Sequence, residues 1–124
     1  MTEIHDWILG DKSSTHFVFK VNYDTHKSVI GMLRRSSVPR LSGLLDIQII
    51  QIESSIHRHG LAYGFIRDLE LFCNDVGLGT ELENCLTDGS YRLGQRLMRR
   101  DSWTRQDRCY YSPDLQKTGK INND

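Results

Sequence analysis

The sequence predicts an α+β fold that is mainly β: two antiparallel hairpins forming a small sheet or sandwich, with a C-terminal helix. Three observations point there. Alanine, the strongest helix former, occurs once, at Ala62. Two early stretches alternate or cluster β-branched and aromatic side chains in the manner of strands. Late in the chain Leu82, Leu86, Leu93 and Leu97 recur at spacings of four and seven, a helical period.

Taken in order, residues 1–14 read as a lead-in whose Trp7, Ile8 and Leu9 can dock on a core. Gly10-Asp-Lys-Ser-Ser is a loop. From His16 to Tyr23 the chain alternates: Phe17, Phe19, Val21 and Tyr23 point one way, Val18, Lys20 and Asn22 the other. Asp24-Thr-His-Lys27 is a turn, and Ser28 to Leu33 returns as the second arm. Pro39 lacks an N–H and biases Val38 toward extended geometry, so Ser36–Pro39 breaks the chain. Residues 44–52 are the most strand-like stretch, with Leu45, Ile47 and Ile49 on one face and Ile50 and Ile52 on the other; the consecutive apolar residues also suit a buried helix, and β-branching tips the reading toward strand. A turn at His57-Arg-His-Gly60 then leads to Leu61, Tyr63 and Phe65 alternating with Ala62 and Gly64, so residues 44–72 read as a second, longer hairpin. Thr80 followed by Glu83 fits a helix-capping box, and residues 90–104 read as the basic helix. The expected organisation is one globular domain over residues 1–112 with a mobile tail over 113–124.

At 124 residues the chain is long enough to bury a core without staples. The three cysteines, Cys73, Cys85 and Cys109, are odd in number and widely spaced, which reads as buried free thiols rather than a disulfide framework. No apolar run approaches the ~20 residues that span a bilayer, and the first residues lack the basic start and apolar stretch of a signal peptide, so a cytoplasmic location is expected.

Formal neutrality hides a sorting of charge. Asp68, Glu70, Asp75, Glu81, Glu83 and Asp88 form an acidic block with no basic residue inside it. Arg92, Arg96, Arg99, Arg100, Arg105 and Arg108 follow, against Asp101 and Asp107. On a helix Arg92, Arg96, Arg99 and Trp103 fall on one stripe, where arginines can fork phosphates and the indole can stack on a base or sit at a lipid interface. Lys20, Lys27, Arg34, Arg35 and Arg40 make a second basic cluster. The acidic block offers the competing explanation, since it can meet the arginines within one chain or between chains, and on its own it can mimic phosphate toward a basic partner.

His57-x-His59 has a spacing that metal ligands use, but nothing in the sequence brings a third ligand to it. The two histidines also titrate in the range where an interface can respond to mild acid. Asp68-x-Glu70 and Glu81-x-Glu83 pair carboxylates without a nucleophile and base beside them, and Gly77-Leu-Gly79 lacks the following glycine and lysine of a phosphate loop. The expectation is therefore a protein without catalytic residues, cofactor or metal.

The element order, an early hairpin, a Pro-marked link, a longer Ile- and Leu-rich hairpin and a basic helical segment with Ser90-Tyr-Arg-Leu93, resembles the small matrix proteins of nonsegmented negative-strand RNA viruses, the bornavirus type in particular. The resemblance spans residues 15–100 and carries over no functional residue. It implies a self-associating assembly protein that touches anionic membrane or ribonucleoprotein through basic surfaces, at the inner face of an envelope or host membrane. Two other readings stay open: an inhibitor or immunity module working through the acidic 68–88 surface toward a protein partner, and a small RNA-binding suppressor.

Overall fold

The computed structural model describes residues 1–56, 60–83 and 88–114, without the side chain of Asp88. Its elements are α1 (Thr2–Leu9), β1 (His16–Asp24), β2 (Lys27–Arg35), β3 (Ile47–Ser54), α2 (Leu61–Asp75), β4 (Thr80–Leu82), α3 (Asp88–Asp101), β5 (Thr104–Gln106) and β6 (Cys109–Tyr111). The strands form one six-stranded mixed sheet in the order β1-β2-β3-β4-β6-β5. Neighbours are antiparallel except β3 and β4, which run parallel and are joined by α2. This corrects the expected pair of hairpins and the sandwich: one sheet carries helices on one face, and no second sheet closes over it among the described residues.

The first hairpin forms as its alternation dictates. Phe17, Phe19 and Val21 of β1 join Val29, Leu33 and Arg35 of β2 on the helix-covered face, while Val18, Lys20, Ile30 and Met32 face the other way. Tyr23, at the strand end, is largely exposed. β3 departs from the expected pattern through a bulge. Met32 pairs with Gln51 and Leu33 with Ile49, so Ile50 is an extra residue. The phase resets there, and Ile52 returns to the face of Ile47 and Ile49 instead of opposing it. Gly31 is required at this crossing, because a Cβ would lie 2.0 Å from the Gln51 carbonyl oxygen.

Residues 61–75 are a helix, not the returning arm of a hairpin. Leu61, Phe65, Ile66, Leu69, Phe72 and Cys73 recur at three and four, and this longer run decides against the five-residue alternation at its start. Phe65 stacks on Phe19 with centroids 4.6 Å apart, and Phe72 stacks on His5 of α1 at 3.7 Å, so α1 and α2 share one layer. Trp7 and Ile8 dock as expected, whereas Leu9 is exposed.

α3 ends at Asp101, because Ser102 takes a left-handed φ of 61°. The Trp103 N–H then donates back to the Leu97 carbonyl at 3.3 Å, closing the helix. Trp103 consequently leaves the helical stripe and enters the core, 2% exposed, with its indole N–H donating to Glu70 at 2.9 Å. Thr80 opens a short strand rather than a helix.

Two of the expected surface arginines are structural. Arg35 is buried on the helix side, donates to the carbonyls of Trp7, Ile8, Asp11 and Ser14, and lies 4.4 Å from the Trp7 ring centroid. Arg40 donates to Asp46 at 2.6 Å and to Asp114 at 2.5 Å. Asp114 is thus tied to the domain, and the rest of the expected tail lies outside the described residues.

Candidate active site

The short seam between β3 and β4 organises the site. The parallel pairing covers only Ile47, Gln48 and Ile49 against Thr80, Glu81 and Leu82, and the Glu83 N–H makes a last bond to the Ile49 carbonyl at 2.9 Å. β3 then continues to Ser54 with no strand on that side among the described residues. The Ser55 N–H donates to the Ser28 carbonyl on the β2 side, so by alternation the peptide groups of Ile52 and Ser54 point into the gap. Among the described residues the parallel seam thus ends in a notch at the carboxyl ends of both strands, the place where open α/β sheets bind ligands.

α2 starts at the same end. Its N-cap is Gly60, at φ 72°, with no side-chain cap. The first helical bond runs from the Gly64 N–H to the Gly60 carbonyl, leaving the N–H groups of Leu61, Ala62 and Tyr63 ahead of it. Among the described residues a Cβ on Gly64 would meet nothing within 4 Å, and one on Gly60 would meet only the Arg96 guanidinium, at 3.6 Å. Arg96 reaches there by lying over the Tyr63 ring, 4.0 Å from its centroid. Tyr63 is itself fixed by donating to Asp101 at 2.5 Å, and Arg67 bridges Asp101 and Glu70. The notch thus ends at a helix N-terminus with a cation beside it, a setting that favours an anion.

The other feature is a polar row across the open face. Arg34 on β2 reaches over β3, donating to Gln48 at 2.8 Å and pairing with Glu83 at the mouth of the notch. Glu81 is opposite Tyr111 across β4 and β6, and Thr104 is opposite Tyr111 across β5 and β6. The ligating atoms of Glu81, Glu83 and Cys109 lie within 4.8 Å of one another. Burial, then the charge of Glu81 and the Cys109 thiol alongside, push the Tyr111 phenol well above its ordinary range, so it holds its proton. Cys73, by contrast, is deep in the core, where burial pushes its thiol up to about 12 and leaves it inert.

The residues expected to act separate accordingly. Arg92, Arg99, Arg100 and Arg108 are exposed, and Arg105 is exposed near the rings of Tyr91 and Tyr110. Arg96 alone of that block reaches the notch. Arg34, Arg35 and Arg40 form no common surface, since each is engaged at a different place. The acidic block is likewise divided: Asp68 and Asp75 are exposed, Glu70 is buried against Trp103, Glu81 and Glu83 join the open-face row, and the Asp88 side chain, like His57 and His59, lies outside the described residues. No helix of the described residues is long and apolar enough to cross a membrane.

No family model matches this chain, and searches of curated proteins and of solved structures return no match. The site must be read from its own geometry.

Sequence reasoning named Glu81 and Glu83 as part of an acidic block and as a carboxylate pair without a nucleophile beside it, took Cys109 for a buried free thiol, and missed Gln48 and Tyr111. Three-residue strands leave no periodic signal. The small residues Gly60, Ala62 and Gly64 at the head of an apolar helical run were the available sign of a helix start built for close approach.

Proposed function

We propose that the protein is an acyltransferase that takes its acyl group from a coenzyme A thioester and passes it to an amine. The observation that supports this most directly is the short parallel seam of β3 and β4, which among the described residues ends at Ile49 and Glu83, together with the uncapped N-terminus of α2. A ligand that fits both parts must be extended, must carry amide groups to pair with the edge of β3 that is unpaired among the described residues, and must end in phosphate. The first demand is strand addition along a sheet edge, and the second is anion binding at a helix N-terminus. Coenzyme A joins those chemistries in one molecule, with its amide-bearing arm ending in the thiol and its pyrophosphate at the other end. In that orientation the pyrophosphate meets the N–H groups of Leu61, Ala62 and Tyr63 and the Arg96 guanidinium, and the thioester reaches the end of the seam.

The thioester supplies an activated acyl group. The chain's part is to hold the acceptor and handle protons. Glu81 and Glu83 are placed to take the proton the amine releases as its C–N bond forms. Arg34, held by Gln48, fixes the Glu83 carboxylate at the mouth of the notch. Tyr111, kept protonated by burial and its acidic neighbours, is too weak an acid to give up its proton but is suited to donate a hydrogen bond to the sulfur, which leaves as the thiolate when the C–S bond breaks.

Titration calorimetry with coenzyme A and with its dephosphorylated, truncated arm tests the reading. Coenzyme A is expected to bind, with Arg96→Gln weakening it by about tenfold. Equal binding by wild type and Arg96→Gln, or none by either, would remove the cofactor assignment.

A further inference from the structure

We infer that the outer side of α3, continued onto β5, is a binding surface for single-stranded nucleic acid. This goes beyond the acyl-transfer reading and does not rest on it.

The arginines divide by what they touch. Arg34, Arg35, Arg40 and Arg67 are each held by carboxylates or backbone carbonyls, and Arg96 lies over the Tyr63 ring. Arg92, Arg99, Arg100, Arg105 and Arg108 are exposed and form no ion pair among the described residues. All five fall between positions 92 and 108, where the chain has no lysine. Of the two carboxylates in that span, Asp101 is engaged by Tyr63 and Arg67, and Asp107 is exposed in the β5–β6 turn. On α3 the buried Gly94 and Leu97 mark the inner side. Arg92 and Arg99 are two turns apart on the outer side, about 10 Å from each other along the axis. Arg105 joins β5 to this side: its guanidinium lies 5.6 Å from the ring centroid of Tyr91, which is 45% exposed.

Charge and ring together select the partner. A row of arginines without acidic partners fits a row of anions, and each guanidinium can fork one phosphate of a phosphodiester chain. An exposed tyrosine ring flanked by a guanidinium is a platform for a base, whose flat face is open in a single strand and covered in a duplex. A membrane fits less well, because an interfacial helix needs an exposed apolar wedge. Here Leu93, Leu97 and Met98 pack on the core, and Trp103 is buried. An acidic peptide would match the guanidiniums but leave Tyr91 unused.

The test is fluorescence anisotropy of labelled oligouridylate and oligothymidylate with the full chain, repeated at several salt concentrations. Both oligomers are expected to bind, since the contacts are to phosphates and base faces that they share, and a duplex of matching length is expected to compete less. Arg92→Gln combined with Arg99→Gln alters exposed positions alone. It is expected to weaken binding about tenfold and to reduce the slope of log Kd against log salt by about 1.4, two phosphate contacts at ~0.7 each. Tyr91→Ala is expected to weaken binding about tenfold with the slope unchanged, because stacking releases no counterion. Lys27→Gln, exposed at the start of β2, is expected to leave affinity and slope as they are. No binding of either oligomer, an unchanged slope in the double arginine variant, or an equal loss in Lys27→Gln would overturn the assignment. Phosphatidylserine vesicles or polyglutamate displacing the oligouridylate more strongly than unlabelled oligothymidylate does would also overturn it, in favour of a membrane or an acidic protein.

Discussion

Gly94 of α3 and Tyr110 of β6 occupy one another's space: a Cβ on Gly94 would lie 2.1 Å from Cε2 of the buried Tyr110 ring. The helix is set down on the ring face, and Gln95 next to it donates to the Tyr110 hydroxyl at 3.0 Å. Replacing Gly94 by Ala improves helix propensity but forces the ring or the helix aside. A net loss of about 1–3 kcal/mol is expected from urea unfolding, with the overpacking outweighing the propensity gain. A stabilised Gly94→Ala protein would show that α3 can slide off Tyr110 freely.

Arg35 ties α1 to the sheet. Its guanidinium collects four carbonyls that follow or end a helix with no basic residue in its last turn. Arg35→Met keeps the stem but strands those acceptors, and should cost about 2–4 kcal/mol. Amide exchange in residues 2–9 should accelerate far more than in α2. Uniform acceleration would show that α1 and the rest of the core unfold as one unit.

Glu70 gives the stability a pH dependence. Burial is the leading cause that raises its pKa, opposed by the Trp103 indole and by Arg67. A carboxyl whose pKa is raised by folding favours the folded state below its unfolded pKa, and that contribution is lost as pH climbs through the folded value. Glu70→Gln keeps an acceptor for Trp103 and removes the charge. Its unfolding free energy, followed from pH 4 to 7, should fall less steeply than that of the wild type. Parallel profiles would place the pH response elsewhere.

Gly64 sits in a helix, one turn beyond Gly60, and a Cβ there would meet nothing within 4 Å among the described residues. Gly64→Ala should therefore raise stability by about 0.5–1 kcal/mol. Gly64→Leu should fold equally well and block coenzyme A, as calorimetry would show. Undiminished binding by Gly64→Leu would place the cofactor away from this turn.

The parts of the fold that could be read in the sequence are those whose signal is long. β1 and β2 alternate over nine residues each, and both were legible to within a residue or two. α2 was obscured because Leu61-Ala-Tyr-Gly-Phe65 satisfies period two as well as a helix start, and only the later Leu69, Phe72 and Cys73 separate the two. The bulge at Ile50 depends on how close β2 comes at Gly31, a tertiary fact. Arginine misled for a related reason: Arg35 finds its acceptors 21–28 residues away, so nothing local marks it as interior. Arg96 and Trp103, seven residues apart on one supposed stripe, end in opposite roles because Ser102 turns the chain between them.

The seam between β3 and β4 is also a division of the sheet into halves. One half, β1-β2-β3, is knit by long antiparallel ladders, while the other, β4-β6-β5, is made of three-residue strands. Among the described residues three register pairs, with backbone bonds from Glu83 to Ile49 and from Ile47 to Gly79 at the two ends, hold them edge to edge, with α2 as the strap behind. A split of this kind makes the seam a short join between two parts of the sheet, so strain on the molecule falls on few backbone bonds there.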